Sequence, residues 1–60
     1  MSAALSRRLG EAVGTHVVHP DERELIFNAA LVADTWEDLP VKVQRLVAEI
    51  EARPDELGGR

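Results

Sequence analysis

The stretch from Leu25 to Trp36, Leu-Ile-Phe-Asn-Ala-Ala-Leu-Val-Ala-Asp-Thr-Trp, limits the possible folds more than any other part of the chain. At about 100° per residue, Leu25, Ala29, Val32 and Trp36 fall along one stripe of a helix. Ile26, Ala30 and Ala33 widen that stripe, while Phe27 and Leu31 fall on nearly the opposite side. An apolar surface this wide has to be covered from more than one direction. The sequence offers 60 residues in total to do so. A domain of that size buries only about 60% of the surface its unfolded chain exposes. Natural domains this small often add disulfides, a metal or a partner chain. There is no cysteine, which excludes disulfides and thiolate zinc sites. A second copy of the chain, or a different protein, is therefore the expected source of the missing cover.

The flanking segments are helical but short. Leu5, Leu9, Ala12 and Val13 make a narrow apolar face over residues 2–13. Ser2 is placed to cap that helix, and Gly14 suits the left-handed residue that commonly ends one. Gly10 inside it costs about 1 kcal/mol relative to alanine. Pro20 pushes His19 toward extended backbone, so Thr15–Pro20 reads as a linker. Asp21, three residues before Glu24, has the spacing of a capping box and opens a second helix over 21–35. Leu39, Val43, Leu46, Val47 and Ile50 form the stripe of a third helix over 39–53, with Pro40 tolerated in its first turn. Glu49 and Arg53 stand at the i, i+4 spacing of a helical ion pair. Pro54 closes the helix; residues 54–60 are expected to be a frayed tail from which Leu57 can fold back onto the core. The expected fold is all-α and a single domain over 1–60. It is a small three-helix bundle, or an α-hairpin with a short leading helix, completed by self-association or a partner.

The formal net charge is −4. Arg7 and Arg8 outweigh Glu11 in the first twenty residues, so the acidic excess lies wholly in the remainder. Such a chain is repelled by phosphate backbones and anionic lipid. Its longest apolar run, Ala29 to Ala33, is far below the ~18 residues of a membrane span. No secretory signal is visible, and a cytoplasmic location is expected. Among the seven basic side chains only Lys42 is not arginine, which points to a GC-rich coding source, bacterial or phage.

No constellation carries catalytic chemistry. Ser2, Ser6, Thr15 and Thr35 lie in no nucleophile motif, and Gly10 and Gly14 do not make a phosphate-cradling loop. His16 and His19 are the metal candidates, but in an extended segment side chains three apart point to opposite faces. No catalytic residue, metal or cofactor is expected. Arg7 and Arg8 read as a solvated basic pair, because the face behind them is too weakly apolar for a membrane anchor. Gly58-Gly59-Arg60 is similar to the Gly-Gly tails of protein modifiers, without an upstream sequence to match. Thr35-Trp36-Glu37-Asp38-Leu39 resembles the short acidic Trp-x-x-Leu motif that adds as a strand to ubiquitin-like autophagy receptors. Strand addition needs an extended, exposed chain. Trp36 instead continues one helical stripe and Leu39 starts the next. Trp36, Asp38, Leu39 and Pro40 are accordingly expected to form a structural corner, with Trp36 packed inward and Asp38 at the positive end of the third helix.

These residues point to a non-enzymatic protein–protein interaction module, an accessory or structural subunit that self-associates or docks on a larger assembly. Phe27, Leu31, Ile26, Leu5 and Leu9 are the expected contact residues. The alternative is a helix-turn-helix DNA-binding regulator offering Lys42, Gln44 and Arg45 to a groove, or an acidic inhibitor of a DNA-binding protein. Charge balance across the third helix disfavours nucleic acid as a partner.

Overall fold

The computed structural model describes residues 1–54. The expectations for Leu57 and the Gly-Gly tail lie outside those residues. Among the described residues there are three α-helices, α1 (Ala3–Thr15), α2 (Pro20–Ala30) and α3 (Val41–Glu51), with a single 3₁₀ turn at Trp36–Asp38. There is no strand among the described residues.

Helix α1 starts where the Ser2 hydroxyl oxygen accepts the Leu5 amide at 3.2 Å, satisfying one of the free donors of the first turn. It does not stop at Gly14, because neither Gly10 nor Gly14 has a positive φ. The helix continues to Thr15, whose hydroxyl donates to the Glu11 carbonyl at 2.6 Å. It ends at His16, which is extended; Pro20 in turn keeps His19 out of the helical region.

Pro20 opens α2 in the first-turn position that needs no amide. The reciprocal cap is made two residues earlier than the Asp21–Glu24 spacing suggests: the Glu22 carboxylate accepts the His19 amide at 3.1 Å. At its other end α2 stops at Ala30, not near residue 35. The physical reason is Asp38. Its carboxylate accepts the amides of Asp34 and Thr35, each at 3.1 Å, and such local side-chain bonds compete with helix continuation. These same amides, Thr35's first, hold the Asp38 carboxyl below its ordinary range. Asp38 thus caps the 3₁₀ turn, and the start of α3 falls to Pro40, whose carbonyl accepts the Val43 and Gln44 amides.

The two ends of the bundle are tied by hydrogen bonds that set its topology. At one end the Ser2 amide donates to the Asp34 carbonyl at 2.8 Å. At the other, His16 Nδ1 lies 3.1 Å from the Arg53 carbonyl; since a carbonyl can only accept, the proton is on Nδ1. Helices α1 and α3 therefore run in the same direction and α2 runs opposite, with α1 and α2 both packing on α3. Leu5, Leu9 and Ala12 of α1, Ile26 and Ala30 of α2, and Val43, Val47 and Ile50 of α3 make the core, with Ala33 and Leu39 from the connection. Here α2 departs from its expected orientation. Leu25 is 41% exposed and Val32 88% exposed, while Ile26 is fully buried. The buried side of α2 is the Ile26–Ala30 side, because alanines permit close approach to α3 where larger side chains do not.

Arg53 clasps the His16 end. Its guanidinium meets the Glu22 carboxylate at 2.8 and 2.9 Å and the Val17 carbonyl at 2.9 Å. The i, i+4 partner Glu49 is the longest of these contacts, at 3.4 Å. The guanidinium first, and the His19 amide second, pull the Glu22 pKa from its ordinary 4.5 down to about 2. A folded-state pKa below the unfolded one contributes stability above the unfolded value and loses it as pH falls. Helicity followed by circular dichroism is therefore expected to fall as pH drops from 4.5 toward 2. Glu22→Gln should make that fall shallower. An acid transition unchanged by Glu22→Gln would show that the clasp does not govern it.

Candidate interaction surface

The early end of α2 releases Leu31 and Val32 from any helix, and they stand 82% and 88% exposed. Phe27, one turn earlier, is 46% exposed. Opposed running of α2 brings this end together with the beginnings of α1 and α3, where Met1 and Val41 are also exposed. Single exposed apolar side chains are ordinary, but several at one end of a small domain make that end a candidate interaction surface. The charges among them are mostly acidic. Asp34 lies 3.6 Å from the amino terminus. Glu37 has no hydrogen-bond or ion-pair partner among the described residues.

Of the five contact residues expected from the sequence, the structure places only Phe27 and Leu31 on the surface. Leu5, Leu9 and Ile26 are in the core of the single chain, at 3%, 3% and 0% exposure, and offer little or no surface to a partner. Leu5 and Leu9 are buried because α1 spends its narrow apolar face on α3. Ile26 is the one large side chain on the buried side of α2. Val32, Met1 and Val41 were not anticipated. Val32 was assigned to the core stripe by continuing the helical phase past the point where α2 ends.

The corner residues come together as expected in part. Leu39 is buried and Pro40 caps α3. Trp36 is half-buried and packs against the core rather than inside it. The Arg8 guanidinium lies 3.7 Å from the centre of its ring, and is itself held by two hydrogen bonds to Glu51, at 3.0 and 3.1 Å. Arg8 is thus no freely solvated base. No sequence signal marks this pair, since 43 positions separate the partners. Beside Trp36 a cleft of about 280 Å³ opens between Ser2, Ala4, Leu5 and Arg8 on one wall and Thr35, Trp36 and Glu37 on the other.

Two other sequence candidates separate. His16 is engaged with Arg53 and His19 is exposed; among the described residues no three His, Cys, Asp or Glu side chains are grouped to hold a metal ion. Gln44, offered to a DNA groove on the alternative reading, donates its side-chain amide to the Trp36 carbonyl at 2.8 Å. None of the helices among the described residues is long and apolar enough to cross a membrane. Comparison with known protein families, curated proteins and solved structures finds no match to this chain.

Proposed function

We propose that the chain is a non-enzymatic interaction module, a small subunit that self-associates or docks on a larger assembly through the end of α2 and the turn that follows it. The observation that carries this reading is the exposure of Leu31 and Val32, more than four-fifths each, beside Phe27. Contiguous exposed apolar patches on small soluble domains mark sites of interaction with other proteins. The helix-turn-helix alternative is less well supported. Residues 31–40 separate α2 from α3, against the three- or four-residue turn of that motif, and Gln44 is already engaged.

Leu31→Glu tests the proposal because the side chain lies outside any helix and touches little. A surface substitution of this kind changes stability by about 0.5 kcal/mol or less. Sedimentation equilibrium over a range of concentrations is expected to show association of the native chain and its loss in Leu31→Glu, with helicity unchanged. A native chain that stays monomeric overturns the self-association form. The docking form is then tested by retention of a partner from the native host, and equal retention by Leu31→Glu would overturn it.

A further inference from the structure

We propose that the cleft beside Trp36 receives a segment of a partner protein in which one large apolar side chain is followed by lysine or arginine. The inference rests on the reading of the chain as an interaction module but uses a surface separate from Phe27 and Leu31.

Size argues for a single side chain. The cleft holds about 280 Å³, just under the ~300–1,000 Å³ of typical small-molecule sites. An apolar cavity of about 150 Å³ is already enough to take up benzene. The lining is mostly apolar, and Ala4, Leu5 and Trp36 contribute to it.

The cleft is also preformed. Arg8 lies over the Trp36 ring at 3.7 Å and is held by a double hydrogen bond to Glu51. Gln44 pins the Trp36 backbone from the far side. A site already held in its binding shape loses less entropy on binding.

Charge decides what accompanies the apolar group. Arg8 is answered by Glu51 and the amino terminus by Asp34. Glu37, in the cleft wall, is left without a partner among the described residues. The uncompensated charge at the mouth is therefore negative, and it favours a cation next to the inserted side chain while repelling a carboxylate.

Trp36 is the single tryptophan and there is no tyrosine, so its fluorescence reports the site directly. The full chain is titrated with the blocked dipeptide acetyl-Leu-Arg-amide, alongside acetyl-Leu-Glu-amide and acetyl-Ala-Arg-amide. A saturable change is expected with Leu-Arg. Binding should be about fivefold weaker for Leu-Glu, the scale of an exposed ion pair, and about tenfold weaker for Ala-Arg, from the lost apolar area. Glu37→Gln should close the gap between Leu-Arg and Leu-Glu. Ala4→Leu, at an exposed helical position, fills the cleft and should remove the response while helicity is kept. No saturable response, equal response to the acidic and basic dipeptides, or a response untouched by Ala4→Leu overturns the inference. Leu31→Glu should leave the dipeptide response intact. A chain that associates but does not bind the dipeptide therefore overturns this site alone.

Discussion

Ile26→Ala is expected to remove about half of the folding stability of this chain. Ile26 is fully buried, and it is the single large side chain that α2 places in the core; its neighbours there are Ala29, Ala30 and Ala33. Cutting a buried isoleucine back to alanine costs about 2–5 kcal/mol, through lost transfer energy and the cavity left behind. A domain of 60 residues has in total roughly 3–9 kcal/mol to lose, at ~0.05–0.15 kcal/mol per residue. The same truncation in α3 removes one of several anchors, since Val43, Val47 and Ile50 are all buried there. In α2 it removes the principal one. Urea titration followed by circular dichroism should show the folded baseline shortened or gone. A loss under about 1 kcal/mol would mean that something else holds α2, and the two candidates differ in a measurable way. If the Glu22–Arg53 clasp holds it, stability will not depend on protein concentration. If α2 is held across an interface at Phe27 and Leu31, it will.

What could be read from the sequence, and what could not, divides along a physical line. The inner faces of α1 and α3 were legible because their apolar residues repeat at helical spacing and little apolar lies elsewhere: Leu5, Leu9 and Ala12, then Val43, Val47 and Ile50, are all buried. Helix α2 defeats that logic. When apolar residues surround the cylinder, periodicity no longer says which side faces inward, and packing decides. The alanine-rich side faces α3, so that Leu25 and Phe27 are left on the two shoulders. Its end was hidden for a related reason. Nothing in the pattern through Val32 and Ala33 announces a stop; the stop comes from Asp38, further along, capturing two amides. Of the proposed surface, Phe27 and Leu31 were legible as residues that the core stripe could not accommodate. The cleft was not, because its walls are brought together by Arg8 and Glu51 and by Ser2 and Asp34, pairs with no local sequence signature.

Trp36→Ala is the second large effect expected, and its size separates a buried corner from a supported one. A fully buried tryptophan would cost about 3–5 kcal/mol on truncation. Trp36 is half-buried, with the Arg8 guanidinium over its ring and part of the residue lining the cleft. Roughly half of that burial is therefore at stake, together with ~0.5–1 kcal/mol for a partly exposed cation–π contact. The expected loss is about 2–3 kcal/mol, which for a domain of this size lowers the thermal midpoint by roughly 10–20 °C. Arg8→Ala should lose part of the same energy, and a double-mutant cycle between the two positions should give a coupling of about 0.5–1 kcal/mol. Arg8→Lys is a stringent control, because a lysine ammonium cannot stack flat on the ring and grip both Glu51 oxygens at once. A loss near 4 kcal/mol for Trp36→Ala would place the ring inside the core and leave no accessible wall for the cleft. A loss near zero would mean that Arg8 and Glu51 hold this end together without it. Between these limits the tryptophan is a structural support with part of its surface still exposed, and binding in the cleft requires that part.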